Sequence, residues 1–340
     1  MYPIEANTNI LIPPEMWPVS AYQPIRLLSQ TRTAQLVLAN PASPDEPTTS
    51  DSNQTRHKQV VVKLLAPHLT EDREARVLFR DEIRLLQHLH HPSIVYCLES
   101  EEEGPRPYAV MEYIPGCDLG VLLHRQEEKR EPLPWTQAYH IATNILRGLV
   151  YLHNATDDRQ KNLGVVYRDL SPANVLLSVE GETKLIDFGL ATHNRMVRYT
   201  AGDSLRGTFA YLAPELLEDA SATRQSDIFA WGIIAWETFT GQRLFDAPHP
   251  DAILRQLGDK PILPAHQIQA DIPAELSECV QQALLRDRSQ RIDSSDKLLQ
   301  TWEALAPKPQ QIEAVEQKAT PLVDRIRECL LLKQDRTGSK

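Results

Sequence analysis

Apolar and polar positions change rhythm about a third of the way along the chain. Residues 24–39 alternate in strand fashion, with Ile25, Leu27, Leu36, Val37 and Leu38 around a polar centre. Val60-Val61-Val62-Lys63-Leu64-Leu65 reads as a further strand. A helix is expected over 70–90, with Leu78, Glu82, Leu86 and Leu89 on or near one face and Thr70 as its cap. Strands follow at 94–99 and 107–114, joined by Glu101-Glu102-Glu103, which reads as a solvated acidic turn.

From about residue 115 the period becomes helical. Residues 134–153 make a long amphipathic helix through Ile141, Ile145, Leu149 and Leu152. Residues 225–241 include Ile228, Phe229, Trp231, Ile233, Ile234 and Trp236, too apolar all round for anything but a buried helix. Shorter helices fit 213–219, 250–256, 275–286 and 293–303. A strand-rich first third and a helical remainder predict an α+β protein of two unequal lobes. The divisions are an irregular lead-in (1–20), a domain over 21–305 with its lobe boundary at 112/113, and a tail (306–340). Residues 40–58 and 154–164 read as polar loops. In the tail, Leu322, Val323, Ile326, Cys329 and Leu330 form a helical stripe. It suits packing on the chain's own helical part, or self-association or partner docking through a 320–332 helix.

The chain has 340 residues, 41% hydrophobic and 24% charged, and these are values of an ordinary soluble globular protein. A formal net charge of −10 argues against a general nucleic-acid binder. Cys97, Cys117, Cys279 and Cys329 lack paired spacing and are expected as reduced thiols. His88, His90 and His91 read as a helix end and a turn rather than a metal site. No secretory leader or membrane-spanning run is visible, so the expected location is the cytosol.

The candidate chemistry lies in Tyr167-Arg-Asp-Leu-Ser-Pro-Ala-Asn174, followed by Asp187-Phe188-Gly189. Phosphoryl transfer from a nucleotide needs a carboxylate to take the acceptor hydroxyl's proton and oxygen ligands for a metal on the phosphates. Asp169 suits the first role; Asn174 and Asp187 suit the second.

With these motifs in order, residues 20–305 resemble the eukaryotic-type serine/threonine protein kinases, including bacterial members. The resemblance implies a two-lobed kinase-like fold, with a small β-rich N-lobe and a larger helical C-lobe. It implies ATP with magnesium, or manganese, as cofactors, and protein substrates. Lys63 would hold the α- and β-phosphates and Glu82 would pair with it. Ser29, Thr31, Ala34 and Leu36 would line the nucleotide from the first hairpin, and Leu176 from below. Glu112 and Tyr113 would bind adenine through backbone groups, after Met111 as gatekeeper. Asp118 would meet the ribose. Arg168 would answer a phosphorylated residue in the activation loop, with Thr200 and Ser204 as candidates ahead of Tyr199. Glu215 would pair with Arg291, and Asp227 would hold the catalytic-loop backbone.

This chain departs from the family in specific places. The glycine-rich loop should fall at 29–34, where Ser29-Gln30-Thr31-Arg32-Thr33-Ala34 has no glycine. Glycine lets bare backbone approach phosphates, so looser nucleotide binding is expected. Ser171 stands where a lysine usually touches the γ-phosphate; losing one such bond costs roughly 1.5–3 kcal/mol. Ala173 offers no arginine in compensation, and Tyr167 replaces the commoner histidine. Because Lys63, Asp169, Asn174 and Asp187 are all present, an active kinase is expected, autophosphorylation included. The alternative is a pseudokinase scaffold with weak or no transfer. A small-molecule kinase fits less well, because Ala213-Pro214-Glu215 resembles a peptide-docking element.

Overall fold

The computed structural model describes residues 17–42, 59–157, 159–189, 191, 209–218, 221–317 and 319–338. The lead-in up to Met16, most of the 40–58 loop, and Arg195, Arg198, Tyr199, Thr200, Ser204, Arg206, Gly207 and Thr208 lie outside them. The chain divides into two units, the first ending at Pro115 and the second running from Gly116 to Leu331.

In the first unit, β1 (Tyr22–Gln30), β2 (Ala34–Pro41), β3 (Val60–Leu65), β4 (Cys97–Glu101) and β5 (Tyr108–Glu112) form an antiparallel sheet in the order β1-β2-β3-β5-β4. Alternation is imperfect in β1 because the β1–β2 register shifts twice, at Pro24/Arg26 and at Leu27/Ser29. Val37, Ala39, Val60, Val62, Leu64 and Val110 close a core from three neighbouring strands, with Val19 and Tyr22 beside them. Ile94 and Val95 are buried but precede β4. They belong to a turn that begins with the Ile94 N–H on the His91 carbonyl at 3.0 Å. That turn displaces the strand expected at 94–99.

The helix α1 spans Arg73–His88 and buries Phe79, Glu82, Ile83, Leu85 and Leu86. Its cap is Asp72, which accepts the N–H groups of Glu74 and Ala75 at 2.9 and 3.0 Å. Thr70 is not the cap: its hydroxyl closes the preceding 3-10 turn, Pro67–Leu69, on the Pro67 carbonyl at 2.8 Å. The acidic turn is not merely solvated either. Glu102 pairs with Arg84 at 2.8 Å and Glu103 with Arg80 at 3.3 Å. His88 ends α1, and the His91 ring accepts the Ser93 N–H at 3.1 Å, as helix end and turn.

The second unit opens with β6 (Gly116–Asp118), which joins β7 (Val175–Ser178) and β8 (Thr183–Leu185) in a small antiparallel sheet. A Cβ at Gly116 would stand 1.9 Å from the Leu177 carbonyl oxygen, so only glycine permits this pairing. The helices α2 (Leu119–Lys129), α3 (Trp135–Asn154) and α4 (Arg224–Thr240) follow, the last buried from Ser226 to Thr240. After them come α5 (Pro250–Asp259), α6 (Ala265–Ile268), α7 (Ala274–Ala283) and α8 (Ser295–Ala304). The segment expected as a helix at 213–219 is a 3-10 turn, Pro214–Glu218. Trp302 of α8 stacks on Tyr139 with ring centroids 5.1 Å apart and meets Trp231 edge-on. The indole N–H groups of Trp302 and Trp231 bond Thr143 Oγ1 and the Ala142 carbonyl at 2.8 and 2.9 Å, which removes the cost of burying them.

The tail forms α9 (Pro309–Glu316) and α10 (Leu322–Gly338). Ile326 and Cys329 are buried within the second unit. Glu328 pairs with Lys129 of α2 at 2.6 Å, and Gln137 of α3 donates to the Thr320 carbonyl at 3.2 Å. Two residues of the stripe, Ile326 and Cys329, thus pack within the chain's own fold, while Leu322, Val323 and Leu330 are partly buried. All four cysteines are buried and none is in a disulfide.

Candidate active site

Lys63 is the one cation in an otherwise apolar strand, and it is nearly buried. An ammonium there requires a partner. Glu82, from the inward face of α1, supplies it through a direct Nζ–Oε1 ion pair. Leu36 stands opposite Lys63 across the β2–β3 register. Met111 is buried in β5, and Glu112 next to it accepts the Tyr96 N–H on its carboxylate at 2.9 Å. Tyr113 follows, partly buried, just beyond the strand.

The β1–β2 hairpin turns without glycine, and Thr31 is the reason. Its hydroxyl accepts the N–H groups of Thr33 and Ala34 at 3.3 and 3.0 Å. Its own N–H reaches the Ala34 carbonyl at 2.8 Å. No residue from Ser29 to Ala34 has positive φ, so the tip is an ordinary side-chain-closed turn. Ser29 and Ala34 are buried at its base. Two backbone donors of the tip, those of Thr33 and Ala34, are thus engaged by Thr31.

In the second unit, the segment from Tyr167 to Asn174 is held from behind. Asp227, at the start of α4, accepts the N–H of Tyr167 at 2.7 Å and of Arg168 at 2.8 Å. Its carboxylate also meets His153 Nε2 at 2.9 Å, while His153 Nδ1 meets Ser295 Oγ at 2.8 Å. Sequence reasoning missed His153; its signal was one imidazole at the end of the apolar face of α3. Arg168 and Asp187 sit in the left-handed region at φ 68° and 64°, a strained conformation for both that the surrounding bonds maintain. The Tyr167 hydroxyl donates to the Ile186 carbonyl, tying this segment to the one carrying Asp187. Its ring meets Phe188 edge-on at 5.2 Å.

Asn174 donates its amide to the Asp169 carbonyl at 2.8 Å and to Asp169 Oδ2 at 2.9 Å. Crowding by protein pushes the Asp169 carboxyl up to about 7; the charge of Asp187 pushes the same way, and the Asn174 bond pulls back. Asp187 is exposed, with Oδ1 accepting the Gly189 N–H at 3.3 Å. Asp118 caps α2 by accepting the Val121 N–H at 3.0 Å, and Leu176 lies beside it in the β6–β7 register. Glu215 makes a two-pronged pair with buried Arg291 at 2.8 and 3.0 Å, and the guanidinium lies 4.8 Å over the Phe229 ring. Tyr211, also missed, donates to Glu237 at 2.7 Å beneath Arg243.

The protein kinase domain family model matches residues 49–302. This chain belongs to the protein kinase family. Among relatives of the kinase, a tyrosine-protein kinase MasK of Myxococcus xanthus is 31% identical over 80% of this chain and 41% of its own length. A serine/threonine-protein kinase PknB of Mycobacterium leprae is 30% identical over 71% of this chain and 38% of its own. The kinase therefore spans well under half the length of these relatives. The solved PknI kinase domain of Mycobacterium tuberculosis superposes with a TM-score of 0.56 at 22% identity, over 84% of this chain and 96% of that one, a likeness of fold.

The donors fit a hard divalent cation on a nucleotide. Asn174 has its NH2 turned onto Asp169, so its amide oxygen is the atom that could meet a cation, and Asp187 offers an exposed carboxylate. Among the described residues no cluster of His, Cys, Asp and Glu forms a metal cage. Magnesium commonly takes one or two protein oxygens and completes its shell with phosphate and water. Among the described residues no helix is long and apolar enough to cross a membrane.

Proposed function

We propose that this kinase transfers the ATP γ-phosphoryl group to serine or threonine hydroxyls of protein substrates, itself included. The observation that carries this reading is the Asn174–Asp169 pair, with Asp187 nearby and Asp227 fixing the loop from behind. Asp169 accepts the acceptor's proton as its oxygen attacks phosphorus; a carboxyl poised near neutrality suits that transfer. Lys63, aimed by Glu82, neutralises and orients the phosphates. Magnesium or manganese, when bound, offsets phosphate charge, with Asn174 and Asp187 as its protein ligands. In the first unit the backbone at Glu112 and Tyr113 suits adenine, and in the second the carboxylate of Asp118 suits a ribose. Serine/threonine selectivity draws on the PknB relative's name and on Ala173 in place of a tyrosine-type arginine; the MasK relative's name makes tyrosine the competing acceptor.

A second reading is a pseudokinase scaffold. It is favoured by the Thr31-closed hairpin and by Ser171, both of which weaken phosphate contacts. One experiment separates the readings. Purified protein and an Asp169→Asn variant are incubated with labelled ATP and magnesium or manganese, and phosphoamino acids are resolved. Phosphoserine or phosphothreonine in the native chain alone is expected. Equal background in both would leave the scaffold, and phosphotyrosine alone would move the selectivity.

A further inference from the structure

We propose that Arg76, Arg80 and Arg84 are positioning residues that hold α1 in the rotation keeping Glu82 on Lys63. The proposal rests on the kinase reading, since it concerns the same ion pair.

The arginines recur every four residues and so form one stripe along α1. Arg76 Nη1 donates to the carbonyls of Thr70 and Pro105 at 3.1 and 3.0 Å, and Nη2 to that of Gly104 at 2.8 Å. Arg80 reaches Glu103 at 3.3 Å and Arg84 Nε reaches Glu102 at 2.8 Å. Gln87 extends the stripe with a 2.8 Å bond to Ser100 Oγ. The receiving turn is shaped for this. Glu101 Oε1 accepts the N–H groups of Glu103 and Gly104 at 3.0 and 3.2 Å, curling the β4–β5 turn around itself. Each acid of the Glu101–Glu103 run therefore has a distinct task.

At 100° per residue, this stripe lies roughly 150° around the helix from Glu82. Between them, Phe79, Ile83 and Leu86 form the buried face. Apolar packing is non-directional and tolerates small rotations, whereas the Lys63–Glu82 bond does not. The aliphatic face keeps α1 on the sheet; the polar stripe on its far side sets its rotation. Exposed ion pairs contribute little to overall stability, so their loss should move the helix without unfolding the protein.

The test is charge reversal with rescue in the full chain. R80E/R84E should lower kcat/KM for ATP-dependent phosphorylation about tenfold, with a nearly unchanged melting temperature. Adding E102R/E103R should restore activity by rebuilding the pairs in reverse; the smaller swap R84E/E102R serves if the fourfold variant folds poorly. In parallel, zero-length carbodiimide cross-linking of Lys63 to Glu82, read by mass spectrometry, should fall and recover in the same order. Wild-type kcat/KM and cross-linking in R80E/R84E would overturn the proposal. So would a loss that the reversed pairs fail to restore. If the native chain transfers no phosphate, the functional reading fails and the cross-linking result alone decides the arginines' role.

Discussion

Asp227 accepts the backbone N–H of Arg168 at 2.8 Å, and this bond places a left-handed residue directly before the candidate base. The same carboxylate holds Tyr167 and His153, so one buried side chain ties α3, α4 and the 167–174 segment together. Asp227→Ala should destabilise the protein by about 3 kcal/mol, the worth of charge-assisted bonds whose buried partners are left unpaired. Denaturant unfolding measures this. Phosphotransfer at saturating ATP should fall far more than ATP affinity, because Asp227 bonds the segment that carries Asp169.

The Glu215–Arg291 pair makes stability depend on pH. Burial pulls the Glu215 carboxyl upward, but the hydrogen bonds and charge of Arg291 outweigh it and leave the carboxyl below its usual range. A carboxyl lowered in the folded state stabilises the fold above its unfolded value, and that contribution is lost as pH falls through the lowered folded value. Glu215→Gln should therefore cost about 1–3 kcal/mol at neutral pH. The gap to wild type should shrink in acid, followed by urea unfolding at a series of pH values. A gap that stays constant with pH would disprove the linkage.

Thr31 should restrain nucleotide binding. Thr31→Gly removes the hydroxyl that occupies the Thr33 and Ala34 N–H groups. The KM for ATP should drop about fivefold, the worth of roughly one recovered backbone hydrogen bond. Thr31→Ser keeps the hydroxyl and should keep the wild-type KM. Steady-state kinetics over ATP concentration distinguish the two, and an unchanged KM in Thr31→Gly would show that the tip is not limiting.

Ile326 is fully buried in α10 and should act as a core residue. Ile326→Ala is expected to cost about 2–4 kcal/mol by leaving a cavity. Sedimentation should show the same association state as wild type, since the side chain faces its own fold.

The hairpin tip and the acidic turn show where reading along the chain stops short. Missing glycines were plain at 29–34, yet the consequence depended on the Thr31 hydroxyl meeting two N–H groups, a relation of distance rather than of residue type. Glu101-Glu102-Glu103 looked like solvated charge because its partners, Arg80 and Arg84, lie a strand and a turn away in sequence. The 94–99 strand was misplaced because burial in a turn and burial in a ladder leave the same apolar signature. Asp72 rather than Thr70 capped α1 because both are good caps and only backbone geometry chooses between them.

Local chemistry was enough for the class of the protein. Periodicity separated a strand-rich part from a helical one, and Lys63, Asp169, Asn174 and Asp187 stood out because few residue types can manage phosphate charge, a proton and a hard cation. Tertiary packing decided how those groups are held. Glu82 met Lys63 from the buried face of α1, Asp169 rose towards neutrality through crowding and Asp187, and Ile326 and Cys329 of the tail turned inward. Ion pairing, desolvation and burial depend on which groups meet across long stretches of chain, and only the folded backbone brings those groups within a few ångströms.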